Sequence, residues 1–148
     1  MLQESAKPRS ALVIGLPLVK RQALRHVLKG EGIEKVFHAE DGIEAAAILA
    51  SELVDIVFTP EAGEGYSFRD VFGMIHGRSP NRNAPVVILD QGMSRPAIVS
   101  AIKAGAAGVL AVPPERRALR ELLGQIAASP ERGADAGHSA GGRAGDAG

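Results

Sequence analysis

The sequence predicts an α/β fold of (βα)5 type, a parallel five-stranded sheet with helices on both faces, and three observations predict it. Short β-type apolar runs alternate strictly with segments of helical period between residues 10 and 128. Four of the five strand candidates are nearly continuous apolar runs, as strands covered on both faces require. Capping residues, glycines and prolines stand at the junctions, and strict alternation implies right-handed crossovers between parallel strands.

The elements follow in chain order. The first strand is "ALVIG" at 11–15; Pro17 then suits a first helical turn, Leu24, Val27 and Leu28 form an inward stripe, and Gly30 suits a left-handed stop. The "GEG" at 30–32 is a turn into the second strand, "KVFHA" at 35–39. Asp41 and Glu44 have capping-box spacing ahead of Ile43, Ala46, Ala47 and Leu49, which predicts the second helix. The third strand, "VDIVFT" at 54–59, runs into Pro60 and the glycine-rich loop "EAGEG". Ser67 and Asp70 repeat the capping box before Val71, Met74 and Ile75. "PVVILD" at 85–90 is the fourth strand; Ser94 opens the fourth helix, with Ile98, Val99 and Ile102 and a stop at Gly105. "AGVLAV" at 107–112 is the fifth strand, and Pro114 opens a last helix carrying Leu119, Leu122, Leu123 and Ile126.

A chain of 148 residues can bury one core without staples. There is no cysteine, which excludes disulfides, thiolate catalysis and cysteine-ligated metals. Seventeen basic residues balance seventeen acidic ones, so no summed field draws the chain to nucleic acid or an anionic membrane. No apolar run reaches a membrane span and the start has no signal-peptide core, so a cytoplasmic protein is expected. Residues 1–9 are expected to be a flexible N-terminus, 10–128 the domain, and 129–148, almost all Gly, Ala and small polar residues, a disordered tail.

In an open parallel sheet, chemistry gathers at the carboxyl ends of the strands. Those ends are Gly15 and Leu16, Thr59 and Pro60, Asp90, and Val112 and Pro113.

Three stretches carry a resemblance. "VFHAEDGIEAAAIL" at 36–49 resembles the second strand and helix of response-regulator receiver (CheY-like) domains, "VDIVFT" their acceptor strand, and "AIKAGAAGVLAVP" at 101–113 their fifth-strand segment. The match runs over about residues 10–128 without gaps, and it implies the flavodoxin/CheY-like strand order 2-1-3-4-5. In that family an acidic pair after strand one and an aspartate ending strand three hold magnesium. That aspartate accepts phosphate, a hydroxyl ending strand four binds it, and a lysine before proline ends strand five. Magnesium takes hard oxygen ligands, and the phosphoryl group needs positive charge on its oxygens.

Laid on this pattern, the acidic pair falls on Gly15 and Leu16, the acceptor on Pro60, the hydroxyl on Asp90, the lysine on Val112 and the aromatic switch residue on Val109. Only Pro113 is kept, and the resemblance implies a cis Val112–Pro113 bond. With acceptor, metal ligands and cation all absent, the resemblance implies a pseudo-receiver that needs no cofactor, binds no metal and is not an enzyme.

Rescue from nearby residues has plainer alternatives. Glu61 and Glu64 read as solvated loop charges, Asp90 as the cap of a turn, and Thr59 should point away from the side taken by Pro60. His26, His38, His76 and His138 have no metal-ligand spacing. On the last helix Arg116, Arg117 and Arg120 read either as an exposed face with pairs such as Arg117 and Glu121, or as contacts for a phosphate-bearing ligand such as a nucleotide.

The leading expectation is a phosphorylation-independent signalling module of a two-component or related pathway, acting on signalling proteins or as a homodimer through helix four, strand five and helix five. That surface would present Ile98, Lys103, Val109, Arg117, Arg120 and Glu121. No DNA-binding domain or membrane segment is expected, and nothing after Ala128 resembles an output domain. A second expectation is a small-ligand sensor using the emptied pocket over Leu16, Pro60 and Val112, or the arginines of helix five. An enzyme with displaced groups around Asp90 and Glu61 ranks last.

Overall fold

A computed structural model describes residues 8–77, 80, 81 and 83–128 of the chain. Five parallel strands form the main sheet: β1 (Ser10–Ile14), β2 (Lys35–Ala39), β3 (Ile56–Pro60), β4 (Val86–Asp90) and β5 (Gly108–Ala111). Their spatial order is β2-β1-β3-β4-β5, as expected. The helices are α1 (Leu18–Gly30), α2 (Gly42–Ser51), α3 (Phe68–His76), α4 (Arg95–Lys103) and α5 (Arg116–Ala127).

Side-chain alternation along the strands divides the core in two. Leu12, Ile14, Val57 and Ile88 point to one face, where they meet Leu49 of α2, Val71 and Ile75 of α3 and Ala101 of α4. Ala11, Val13, Phe58 and Leu89 point to the other, against Leu24 and Leu28 of α1 and Leu119 and Leu122 of α5. Each large aliphatic side chain so buried contributes roughly 1.5–3 kcal/mol. β1 and β3 are buried throughout, whereas the edge strands β2 and β5 are half-exposed.

Several boundaries differ from expectation, each for a local reason. Pro17 is the cap before α1 rather than part of its first turn, and its carbonyl accepts from the Arg21 amide at 2.8 Å. Gly30 remains helical; Glu31 closes the helix and Gly32 takes the left-handed conformation with φ 92°. Gly105 does stop α4 with φ 120°. In α2 the inward residues are Ala45, Ile48 and Leu49, while Ala46 and Ala47 are exposed and Ile43 is 82% exposed. The alanine run left the inward face ambiguous, and the Asp41 carboxylate, accepting from the Glu44 amide at 3.0 Å, fixes the phase of the helix. The reciprocal bond goes from the Glu40 amide to Glu44 at 2.7 Å, one residue earlier than in a capping box. The box on Ser67 and Asp70 forms as expected.

The loop 61–65 is not irregular. Ala62–Gly63 pairs antiparallel with Tyr66–Ser67, and Gly65 turns the chain at φ 74°. β3 itself extends through Pro60, in register with Leu89. β1 pairs with β3 only as far as Phe58, so one side of the strand has no ladder partner at Pro60, and a missing N–H is tolerated there.

The segment before β4 is anchored by Asn81, 5% exposed. Its carboxamide accepts from the Val54 amide at 2.8 Å and donates to the Leu49 and Glu52 carbonyls at 3.0 and 2.8 Å. The expected tail and His138 lie outside the described residues, as do residues 1–7 of the expected N-terminus. No helix among the described residues is long and apolar enough to cross a membrane.

Candidate functional site

At the carboxyl end of the sheet, β1 leaves through Gly15 at φ 71°, a conformation that disfavours residues with a β-carbon. Leu16 then turns under the sheet and is buried in the α1–α5 side of the core. The two positions after β1 thus offer a bare backbone and an alkyl chain. Pro60 stands beside Gly15: a β-carbon on Gly15 would lie 3.5 Å from the proline Cγ.

What fills the space is Tyr66, the chain's single tyrosine. The hairpin after β3 folds its ring back over the strand ends, where it is only 6% exposed. Gly15, Gly42 and Gly63 make room for it: a β-carbon would come within 2.5 Å of the Tyr66 hydroxyl oxygen from Gly15 and 3.1 Å of Tyr66 Cβ from Gly42, and from Gly63 would overlap the ring. Burial raises the phenol's pKa above its ordinary value of 10.0, opposed by Thr59 nearby and reinforced by the Asp41 charge. Thr59 is itself fully buried and donates its hydroxyl to the Pro60 carbonyl at 3.0 Å. The Tyr66 hydroxyl is left with no hydrogen-bond partner of acceptable geometry.

Asp90, at the end of β4, faces its own loop. Its carboxylate accepts from the Gly92 amide at 2.8 Å and the Met93 amide at 2.6 Å, and the Met93 and Gly92 bonds hold its pKa below the ordinary value. It is therefore a turn cap. Glu61 and Glu64 are exposed, and Val112 is half-buried against the α1–α5 side of the core, followed by a cis bond to Pro113. A cation does reach this end of the sheet, but from α1: Lys20 donates to Gln91 at 2.9 Å. A shallow hollow of about 270 Å3 remains beside Pro60, Leu89 and Met93.

The receiver pattern implies magnesium here, and the residues present do not fit it. Gly15, Leu16 and Pro60 supply no side-chain oxygen, Asp90 is engaged by two amides, and the tyrosine ring covers the space. Among the described residues no three of His, Asp or Glu converge as metal ligands.

Solved structures identify the architecture. The chain matches a candidate response regulator from Chloroflexus aurantiacus with a TM-score of 0.71 and 24% identity, over 82% of this chain and 99% of that one. It has the receiver fold. The receiver domain of a sensor histidine kinase from Pseudomonas aeruginosa, which coordinates magnesium in its active-site cleft, matches with a TM-score of 0.69 and 19% identity, covering 82% and 98%. The chemotaxis response regulator CheY4 of Vibrio cholerae matches at 0.67 and 21%, covering 79% and 97%. No sequence-family profile and no curated protein matches the chain.

In this receiver fold the candidate contacts lie on α4, on the edge strand β5 and on α5. Ile98 and Val109 are half-buried, and Arg117, Arg120 and Glu121 are exposed, whereas Lys103, expected on the same surface, lines a hollow between α3 and α4. The arginines of α5 have carboxylate partners. Arg117 pairs with Glu121 at 3.7 Å, four residues on. Arg120 grips Glu31 at 3.1 and 3.2 Å, and Arg116 reaches both Glu31 at 3.4 Å and the Gly30 carbonyl at 3.1 Å. The Arg120 hydrogen bond leads in holding the Glu31 carboxyl below its ordinary pKa of 4.5. Arg116 and Arg120 thus close the carboxyl end of α1 onto α5.

His38 is half-buried on β2 beside Arg21, whose guanidinium lies 2.8 Å from its Nε2. Burial first, and the arginine second, push its pKa down.

The residue that sequence reasoning missed is Tyr66. Its signal was a lone tyrosine in a chain only 3% aromatic, placed directly after two glycines and a glutamate.

Proposed function

We propose that this receiver-fold chain is a non-catalytic signalling module that works by binding another protein, independently of aspartyl phosphorylation. One observation carries the reading: Gly15, Gly42 and Gly63 cradle Tyr66 beside Pro60, the position on which the receiver pattern sets its acceptor. A proline has no carboxylate to accept a phosphoryl group, and Gly15, Leu16 and Val112 offer neither metal-binding oxygens nor a cation to neutralise it.

Contact with signalling proteins of a two-component or related pathway, or with a second copy, would run through α4, β5 and α5, with Ile98, Val109, Arg117, Arg120 and Glu121 as its candidate contacts. A cytoplasmic setting goes with that role. The ligand-sensor alternative has less support, because Leu16 is buried, Tyr66 packs over Gly15, the hollow left beside Pro60 is shallow, and Arg116 and Arg120 already hold Glu31.

The test is a partner-binding titration with and without magnesium and acetyl phosphate. The partner's affinity is expected to be the same in both, and Arg117→Glu to weaken it about tenfold. A phosphodonor-dependent change in affinity overturns the reading.

A further inference from the structure

Two groups of cations on the helices differ in their surroundings. Those on α5 are matched by carboxylates, as described. Arg69 on α3 and Arg95 and Lys103 on α4 line an open hollow of about 670 Å3 between the two helices, and no carboxylate lines it. None of the three makes an ion pair among the described residues.

The hollow is built rather than accidental. Arg95, Val99 and Lys103 recur every fourth residue, so they form one ridge of α4 about 12 Å long at 1.5 Å per residue, with cations at both ends and an apolar centre. Val99 is 46% exposed there. Arg69 faces this ridge from α3 and is held in place: its guanidinium donates to Ser100 Oγ at 3.2 Å and lies 4.9 Å from the centre of the Phe68 ring. Arg95 also stands in the first turn of α4, where no acidic residue offsets the positive end of the helix. A cation there gains nothing from its own helix end and is left free to meet an outside carboxylate.

We propose that this hollow docks an acidic segment of a partner protein, its carboxylates placed about two helical turns apart and an apolar side chain between them on Val99. Charge complementarity selects the occupant: three cations without a carboxylate around an apolar strip fit acidic side chains flanking an alkyl group. No aromatic ring lines the hollow for a nucleobase to stack on, and the chain's net charge of zero gives no general attraction to polyanions. This surface lies on the α3 side of α4, away from β5 and α5, so it stands or falls separately from the surface proposed above.

The experiment uses the full chain, labelled with nitrogen-15, titrated with a synthetic amphipathic peptide bearing glutamates two helical turns apart beside leucines. Its glutamine counterpart and inorganic phosphate are titrated in parallel. Saturable shifts are expected at Arg69, Val99, Ser100 and Lys103, with the glutamine peptide at least about tenfold weaker. The double variant R95E/K103E is expected to lose binding about tenfold with its remaining amide spectrum intact, and Lys29→Glu, on α1, to leave it unchanged. The proposal is overturned by the absence of shifts at these residues at about 1 mM peptide. Equal binding of the glutamine peptide, or a response to phosphate alone as strong as to the peptide, overturns it too. Shifts confined to Val109 and Arg117 would support the α4–β5–α5 surface and refute this one.

Discussion

A β-carbon at residue 15 meets the Tyr66 hydroxyl oxygen at 2.5 Å while the backbone sits at φ 71°, so glycine and tyrosine require each other. Gly15→Ala is expected to lower unfolding stability by roughly 1–3 kcal/mol, read by urea denaturation. The tyrosine's ring and hydroxyl should behave oppositely. Tyr66→Ala opens a cavity under the hairpin and is expected to cost about 3–5 kcal/mol. Tyr66→Phe removes a buried hydroxyl that lacks a partner and should be neutral or stabilising by up to about 1 kcal/mol. A loss on Tyr66→Phe comparable to that of the alanine variant would show that the hydroxyl is bonded after all. A proline side chain has no chemistry to offer, and that one stands where the receiver pattern sets its acceptor was readable from the sequence. The tyrosine that takes the space was not, since its contacts run to residues 51 and 24 positions away, Gly15 and Gly42, and no local pattern reports them.

Between elements, Glu31 joins α1 to α5 through Arg116 and Arg120, and Asp90 fastens β4 to its loop. Both carboxyls are held below their ordinary values of 4.5 and 3.8, Glu31 chiefly by the Arg120 hydrogen bond and Asp90 by the Met93 amide. The folded state therefore binds fewer protons than the unfolded state across that window, and stability rises with pH through it. The contribution is complete above the ordinary values and is lost as pH falls through the depressed ones. Glu31→Gln is expected to flatten the pH dependence of unfolding below about pH 4.5, as seen by circular dichroism at fixed urea; an unchanged slope would mean the tie between α1 and α5 contributes nothing. Asn81→Ala, which leaves the buried Val54 amide without its acceptor, should cost about 1–3 kcal/mol. The helices and strands themselves were legible because apolar period and capping residues are local signals. The inward face of α2 was not: four of its ten residues are alanines, so the direction it turns was decided by the Asp41 cap and by packing on the sheet.

Across the whole molecule, the strand order β2-β1-β3-β4-β5 places the ends of β1 and β3 side by side, and receivers put their phosphorylation chemistry at that point. The order was expected from the resemblance of residues 36–49 and 101–113 to the receiver pattern, and the two half-exposed edge strands agree with it. That the pattern's acidic pair, acceptor and lysine fall on Gly15, Leu16, Pro60 and Val112 was readable position by position. The aromatic residue packed beside them needed the fold, because a hairpin so short has no periodicity to read. The same assembly leaves the cations of α5 paired and those between α3 and α4 without carboxylates, which shifts attention from the strand ends to the outer faces of the helices.

The central claim is that the strand ends hold packing where receivers hold a phosphorylation site. It is tested most directly by amide NMR of the chain with magnesium and beryllofluoride, a mimic of the phosphoryl group. No saturable shift is predicted at Gly15, Glu61, Tyr66 or Asp90. Saturable, magnesium-dependent shifts clustered at those residues would contradict it.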